Sequence, residues 1–274
     1  MRTWLVILLA SALLLCFGCE EKAWEKTRKA GTVEAFQSYL KHYPEGLHVP
    51  DAWLAIEQVR LGQAVKENTV AAYEGFLKDF PRSKGRPTAV QYLMRVVEPE
   101  VRALTPQALE RMSAELETSH GTFRFRFFGR DAPETCRNFI KLARSHFYDG
   151  LFFFRVLPGQ LIQAGAPNAA PGAGPGYTIK AELNDHLHVP GAVAMHHDLY
   201  PDSAGSQFYI CLANLPERDR QFTVFGQVTE GMETIAAIGQ VQTNGPEGAP
   251  VPDRPLEDVI IKRVTILTPS EAKP

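Results

Sequence analysis

An arginine surrounded by apolar residues is the first position in this sequence with an evident chemical use. Arg155 stands between the apolar stretches 151–154 and 156–157. A guanidinium stays protonated and holds its donors in a rigid plane, so it can stabilise electron density that develops on a bound molecule. The alternative is a surface cation whose alkyl stem covers apolar neighbours while its head group stays in water.

Histidines form the second candidate group. Four of the eight histidines fall within twelve residues, and a carboxylate follows them: His186, His188, His196, His197 and Asp198. Imidazoles and carboxylates are ligands for zinc and copper. On a strand His186 and His188 share a face, whereas adjacent residues point opposite ways. The helical HExxH spacing is absent, so we favour histidines at a surface or groove rim, with metal binding as the alternative.

The elements around Arg155 follow a strand-rich pattern. From about Met112 the sequence predicts a hairpin, in which phenylalanines alternate with arginines over residues 122–127. A helix with an apolar stripe begins near Asp131–Glu134, and short strands with glycine-rich turns follow it. This order is typical of an α+β or mainly β domain.

Four motifs in this region occur in a fixed order and spacing: Phe147–Gly165, Gly174–Ile179, Pro201–Ile210 and Phe222–Val228. Together they resemble the signature of the cyclophilins, which are peptidyl-prolyl cis-trans isomerases. The resemblance covers about residues 113–268. It implies a closed eight-stranded antiparallel barrel with two capping helices.

The implied reaction suits Arg155. Rotation about a peptide C–N bond faces a barrier of about 18–20 kcal/mol because amide resonance is lost in the twisted state. A catalyst must hold proline in an apolar pocket and offer hydrogen bonds that strengthen as the amide twists and its nitrogen becomes basic. This chemistry needs no nucleophile, metal or other cofactor, and we predict none.

The resemblance also implies roles for individual residues. Arg155 is expected to act on the prolyl amide, and Gln163 and Gln207 to complete the catalytic group with nearby polar contacts. The residues expected to bind substrate are Leu161, His196, Phe208, Tyr209, Arg218 and Phe222. Of these, Leu161, Tyr209 and Phe222 are expected to wall the proline pocket.

Several positions depart from the family pattern. Gln160 and Leu161 stand where phenylalanine or methionine is common, and Arg218 lies in a segment that usually reads Leu-Asp. His196 follows Met195 where alanine is usual. We expect His196 to obstruct the groove or to read the residue before proline. The departures together predict lower activity or an altered substrate preference.

The N-terminal residues predict export. Arg2 precedes Trp4–Phe17, an uncharged run of 14 residues, whereas a membrane span needs about 20. The following residues resemble a bacterial lipoprotein signal, in which cleavage after Gly18 leaves Cys19 to be acylated and to anchor the protein in a membrane. The alternative is an ordinary signal peptide and a soluble secreted protein. We expect a periplasmic or cell-surface location.

A repeat follows this leader. Residues 32–44 match residues 69–81 at an offset of 37, with Thr32 and Thr69 as suitable helix N-caps. Second helices are expected over 52–61 and 88–97. The pattern resembles tetratricopeptide-type repeats, which stack to bury their apolar faces. The module is expected either to dock a protein partner or to act only as a spacer.

Composition limits the other classes. The chain has 45% hydrophobic and 22% charged residues, which excludes wholesale disorder and coiled coil. Its net charge of −2 disfavours binding to a phosphate backbone, so we expect no nucleic-acid partner. Cys136 and Cys211 each lie in apolar surroundings and are predicted to be buried free thiols.

These observations predict five segments: a leader over 1–18, a helical repeat domain over 19–103, a linker over 104–112, an isomerase domain over 113–268 and a tail over 269–274. The expected function is isomerisation of X-Pro bonds in exported polypeptide clients, to assist their folding. The alternatives are a proline-peptide-binding scaffold with little turnover and a metal-binding envelope protein.

Overall fold

The computed structural model describes residues 19–167 and 172–268. The predicted leader over 1–18 and tail over 269–274 lie outside the described residues. The chain divides into two compact units, Met1–Val96 and Val97–Pro274.

The first unit is helical. Its helices are α1 over residues 19–30, α2 (Val33–His42), α3 (Val49–Glu67), α4 (Val70–Asp79) and the first part of α5 (Arg86–Arg102). Thr32 and Thr69 cap α2 and α4 as predicted, because each hydroxyl accepts a hydrogen bond of 3.2 Å from the amide three residues on. The two units of the repeat therefore begin in the same way, 37 residues apart. No described helix is both long and apolar enough to span a membrane.

The second helix of each repeat unit is longer than predicted. α3 and α5 start at Val49 and Arg86, so that Pro50 and Pro87 lie inside the first turn, where a missing N–H removes no helical hydrogen bond. α3 continues to Glu67 and ends at Asn68, which adopts the left-handed conformation. The predicted boundaries 52–61 and 88–97 are therefore wrong at both ends.

Helix α1 was not expected from the sequence, and tertiary packing explains it. Trp24 is buried, and its ring contacts the rings of Phe36, Tyr39 and His48. Glu20 accepts hydrogen bonds from the Tyr39 hydroxyl at 2.6 Å and from a backbone amide at 2.7 Å. These contacts lie 12 to 27 residues apart in sequence, so local periodicity does not reveal them.

The second unit is a single antiparallel sheet with helices. Its strands are β1 (Ser113–Thr118), β2 (Gly121–Phe127), β3 (Arg155–Leu157), β4 (Leu161–Ala164), β5 (Ala192–Met195), β6 (Phe208–Cys211), β7 (Val224–Glu230) and β8 (Ile261–Leu267). Their order across the sheet is β3-β4-β6-β5-β7-β2-β1-β8. The helices that follow α5 are α6 (Pro106–Leu109), α7 (Pro133–Arg144) and α8 (Met232–Ile238).

The predicted closure of this sheet into a barrel is wrong. Strands β3 and β8 are its two edges, and no ladder joins them among the described residues. Residues 150–153, which precede β3, instead make backbone hydrogen bonds of 2.7 to 2.9 Å with residues 259–261, which lead into β8. Over the part of the chain that the structure describes, these segments share one isolated bridge, Phe152 with Ile260, and no ladder, so the eight strands form an open, curled sheet.

One side of the sheet carries an aromatic core. Phe139 projects from α7 into this core, with its ring centroid 5.3 to 5.5 Å from those of Phe125, Phe208 and Phe225. Cys136 and Cys211 are both buried and unpaired, as predicted. The segment 104–112, predicted as a linker, contains α6 and buries Leu109 completely, so it packs as part of this unit.

Candidate active site

A single row of residues crosses four strands of the sheet. Arg155 on β3 lies opposite Gln163 on β4, Gln163 lies opposite Tyr209 on β6, and Tyr209 lies opposite Ala194 on β5. Directly opposed residues of antiparallel strands point to the same face. At about 4.8 Å between neighbouring strands, Arg155 and Tyr209 are separated by about 10 Å. We call Arg155, Gln163 and Tyr209 the site row.

The guanidinium of Arg155 is accessible and has an acidic neighbour. Its side chain is 37% exposed, and its Nε lies 3.8 Å from Oδ2 of Asp253, whose side chain is 10% exposed. The backbone of Asp253 is fixed to β3, because its carbonyl accepts a 2.9 Å hydrogen bond from the amide of Val156. Asp253 therefore restricts the guanidinium from one side. The sequence contains no local signal for this contact, since about 100 residues separate the two positions.

Two amide side chains extend the site row. Gln163 donates a hydrogen bond from Nε2 to Oε1 of Gln207 at 3.0 Å, and Gln207 donates from Nε2 to the carbonyl of Ala173 at 3.0 Å. Both glutamines are buried. The Ala173 carbonyl can only accept, so it sets the orientation of both amides in turn.

Apolar side chains form the other end of the row. Leu161 and Tyr209 belong to one buried cluster, and Phe222 packs against it. The Phe222 ring meets Tyr209 edge-on, with centroids 5.8 Å apart and planes at 84°. The Arg218 guanidinium lies 5.1 Å from the Tyr209 centroid and 5.2 Å from that of Phe222. We call Leu161, Tyr209, Phe222 and Arg218 the pocket wall.

A buried histidine supports this wall from behind. The Nδ1 of His188 lies 3.0 Å from Oδ1 of Asp219, and its Nε2 lies 2.9 Å from the hydroxyl of Tyr209. Burial lowers the pKa of His188, against the opposing effect of Asp219. Burial raises the pKa of Tyr209 well above its ordinary value, and hydrogen bonds from His188 lower that of Asp219.

His196 connects the row to a neighbouring cavity. Its backbone amide donates a 2.9 Å hydrogen bond to the carbonyl of Gln207, and both residues line a cavity of about 340 Å³. Burial is the main cause that lowers the pKa of His196. The carboxylate of Asp198 opposes this effect, and the charges of Arg218 and Arg155 add to it. The imidazole is therefore neutral at neutral pH and lies within electrostatic reach of both arginines.

Comparison with known proteins identifies this arrangement. The family model described as cyclophilin type peptidyl-prolyl cis-trans isomerase/CLD matches residues 113–266. The chain belongs to this family. It is 46% identical over 125 residues to a peptidyl-prolyl cis-trans isomerase of Synechococcus elongatus, a match that covers 46% of this chain and 85% of that one. It is 47% identical over 111 residues to peptidyl-prolyl cis-trans isomerase B of Bacillus subtilis, covering 40% and 77%.

A solved structure agrees with the family assignment. The chain is similar to a cyclophilin type peptidyl-prolyl cis-trans isomerase of Cryptosporidium parvum determined in the presence of the dipeptide Ala-Pro. The TM-score is 0.52 and the sequence identity 25%, and the match covers 57% of this chain and 99% of that one. This protein is therefore a cyclophilin-type isomerase whose second unit carries the family fold.

Most of the predicted site residues of this cyclophilin lie together, with one exception. Arg155, Gln163 and Gln207 are linked by the site row and its amide chain, and the pocket wall adjoins them. Phe208, predicted to bind substrate, is fully buried in the aromatic core and contacts the rings of Phe139 and Tyr148. Since consecutive residues of a strand point to opposite faces, Tyr209 at the site excludes Phe208 from it.

The four clustered histidines have separate partners. His186 stacks on Phe128 at 3.7 Å and pairs with Asp131 at 2.9 Å, whereas His188 contacts Asp219 and Tyr209. The His197 ring stacks on Phe222 with centroids 4.3 Å apart, a contact with the pocket wall that sequence reasoning missed. Within residues 19–167 and 172–268, no group of three or more His, Cys, Asp or Glu side chains is arranged to hold a metal ion.

Proposed function

We propose that the site row catalyses isomerisation of X-Pro bonds and that the pocket wall holds the proline ring. The observation that supports this proposal is the strand register, which places Arg155, Gln163 and Tyr209 in one line on one face of the sheet. A proline ring against Leu161 and Phe222 leaves its imide bond facing the guanidinium, about two strand spacings away from Tyr209.

The proposed step is a rotation without covalent chemistry. As the imide bond twists, its resonance is lost and the nitrogen gains a lone pair that accepts a hydrogen bond. Arg155 donates to that nitrogen, an interaction that is stronger in the twisted state than in either planar isomer and therefore lowers the barrier. Gln163 and Gln207 are buried amides next to the guanidinium and are proposed to bind the substrate backbone.

We propose that His196 reads the residue before proline rather than blocking the groove. The support is its position at the cavity of about 340 Å³ that it shares with Gln207, which offers space for a side chain beside the site row. Arg218 is proposed to complete the pocket with its guanidinium plane, since it covers the rings of Tyr209 and Phe222.

The test is turnover of a short X-Pro peptide, followed by exchange NMR. Wild-type protein should accelerate cis-trans exchange, and Arg155→Ala should abolish most of the acceleration while still binding the peptide. Arg263→Ala, which removes an exposed arginine on β8, is the matched control and should behave as wild type. Peptide binding without accelerated exchange in the wild type would instead establish the scaffold alternative.

We further propose that the protein acts on exported clients, to assist their folding, and is anchored through acylated Cys19 in the periplasm or at the cell surface. The support is the leader pattern in the sequence and the exposure of Cys19. Metabolic labelling with a fatty acid tests this proposal. Label should be lost in Cys19→Ala and retained in Cys136→Ala, and labelling of neither wild type nor variant would leave the ordinary secreted form.

The helical unit is proposed to be a tetratricopeptide-like module that docks a protein partner. Its support is that three large apolar side chains just before and within the first turns of α3 remain exposed: Leu47, Trp53 and Leu54. A photo-crosslinker at position 53 should capture a defined partner in cells, whereas one at Glu67 should not. Equal labelling at both positions would favour a spacer.

A further inference from the structure

The residues behind the pocket wall form a continuous hydrogen-bonded chain. Asp219 accepts hydrogen bonds at its Oδ1 from the backbone amide of His188 at 2.8 Å and from Nδ1 of the same residue at 3.0 Å. On the other side of the ring, Nε2 lies 2.9 Å from the Tyr209 hydroxyl. The His188 side chain has no solvent exposure. Both ring nitrogens of His188 therefore have hydrogen-bond partners among these residues.

The chemistry of these groups fixes the direction of the hydrogen bonds. A carboxylate only accepts, so Nδ1 of His188 must carry the proton that Asp219 accepts. In the neutral ring Nε2 is then an acceptor, and the Tyr209 hydroxyl donates to it. Burial favours this neutral form, because it lowers the pKa of His188.

The hydrogen-bonded chain ends on the buried ring of Tyr209, which belongs to the pocket wall. Strand pairing fixes the backbone of Tyr209 between Gln163 and Ala194. Its ring packs edge-on against Phe222 and lies under the Arg218 guanidinium. The hydroxyl bond to His188 fixes the far end of the same ring, so rotation about its side-chain torsions is restricted at both ends.

We propose that His188 and Asp219 are positioning residues, which act through the Tyr209 hydroxyl to hold the proline pocket in its binding geometry. This proposal rests on the proposed function, because it assigns the pocket wall to proline. It adds two residues that touch no substrate, and it makes the affinity of the pocket depend on the protonation of His188.

The charged groups that face His188 are Asp219, Glu217 and Arg218, and Tyr209 is the other titratable neighbour. Protonation adds a proton to Nε2, which then can no longer accept from the Tyr209 hydroxyl. The hydroxyl oxygen must then accept from Nε2, so the hydroxyl proton loses its acceptor and the hydroxyl must turn, which changes the geometry of the bond that fixes the ring. Because the pKa of His188 lies below its ordinary value of about 6.5, this change occurs on the acid side of that pH.

A double-mutant cycle on peptide isomerisation tests the coupling. Tyr209→Phe removes only the hydroxyl and should raise KM about fivefold, the effect of one lost hydrogen bond, with little change in kcat. His188→Gln should raise KM by a similar factor in the wild-type background and by less than twofold in the Tyr209→Phe background. Additive effects of the two substitutions would overturn the proposal.

The pH profile supplies a readout that a purely structural role does not move. In the wild type KM should rise as the pH falls from about 7.5 to 5. In Tyr209→Phe this part of the profile should disappear, whereas contributions of His196 remain in both proteins. A profile that is identical in the two proteins would contradict the proposal. Tyr148→Phe, which removes a hydroxyl bonded to the Ser206 carbonyl in the aromatic core, is the matched control and should keep the wild-type profile.

Nitrogen NMR of the imidazole tests the chain even if His188→Gln fails to fold. At neutral pH wild-type His188 should be protonated at Nδ1 and unprotonated at Nε2, and the opposite tautomer would overturn the proposal. Absence of any turnover in the wild type, with the expected tautomer, would remove the proposed function. Normal turnover with an additive cycle would remove only the positioning role.

Discussion

The two ends of the site row are held in place by different interactions. At the polar end, Arg155 and Gln163 are oriented by directional contacts, with a carboxylate at 3.8 Å and an amide at 3.0 Å. At the apolar end, Tyr209 and Phe222 are oriented by strand register and ring packing. Interactions that strengthen only in the transition state raise kcat, whereas apolar contacts made equally in both states lower KM. The comparison therefore predicts that the two ends control different kinetic constants.

The largest effect is expected at the polar end. Arg155→Ala should lower kcat by about 100-fold, the typical loss of one donor that acts in the transition state, with KM changed by less than about threefold. Arg155→Lys keeps the charge without the planar fork and should be intermediate. Both constants are measured by coupled peptide isomerisation. A rise in KM without a loss in kcat would place Arg155 with the binding residues and remove the distinction between the ends.

The apolar end should give the opposite split. Phe222→Ala removes the ring that meets Tyr209 and carries part of the Arg218 contact. KM should rise about tenfold and kcat should stay within about twofold, since burial of a proline ring on an aromatic side chain is lost equally in both states. Phe222→Leu, which retains an apolar side chain, should recover part of the affinity. A matching fall in kcat would contradict the comparison.

A smaller effect is expected from the acidic neighbour of the arginine. Asp253→Asn keeps the size of the side chain and removes its charge, so the guanidinium is held less firmly and kcat should fall about threefold. Asp253→Asn should add nothing in the Arg155→Ala background, because it acts through that arginine. If Asp253→Asn lowered kcat further in the Arg155→Ala background, or did not lower kcat on its own, Asp253 would not act by holding the guanidinium.

The smallest effect concerns charge at the junction of the two ends. The pKa of His196 is lowered, so its ring gains a proton only below a pH of about 6.5. Peptides with an acidic residue before proline should then gain about twofold in relative kcat/KM over alanine peptides as the pH falls, a modest gain because the ring is partly exposed. His196→Ala should show no such gain. Competition between the two peptides at several pH values measures it, and a gain retained in the variant would assign the effect elsewhere.

Motif spacing predicted much of this site because strand register is local. Arg155 and Gln163 lie on a tight hairpin, so their pairing follows from a few residues of sequence. Asp253 and Asp219 were not predicted, since they reach the site through loops whose paths depend on the folded sheet. Phe208 was misplaced because a motif identifies a strand without stating which of two adjacent side chains faces the ligand.

The elements of the fold also divide into those that local sequence predicts and those that it does not. Caps such as Thr32 and Thr69 were predictable, because the hydrogen bond that defines them spans three residues. The open edge between β3 and β8 was not predictable from local sequence. It depends on how many backbone pairs can form between two segments that are distant in the chain. Helix α1 is held by ring contacts of Trp24 with Tyr39 and His48. These residues are too far apart in sequence for a local pattern to predict the contacts.

The side chains of strand β6 alternate between the aromatic core and the site, and this alternation decides what a substitution in the strand affects. Phe208 and Ile210 face the interior while Tyr209 and Cys211 belong to the cluster at the site. Because all four side chains are buried, each substitution in this strand is expected to lower thermal stability, but only those at positions 209 and 211 also change the cluster at the site. A change of ligand preference made through this strand is therefore accompanied by a loss of stability.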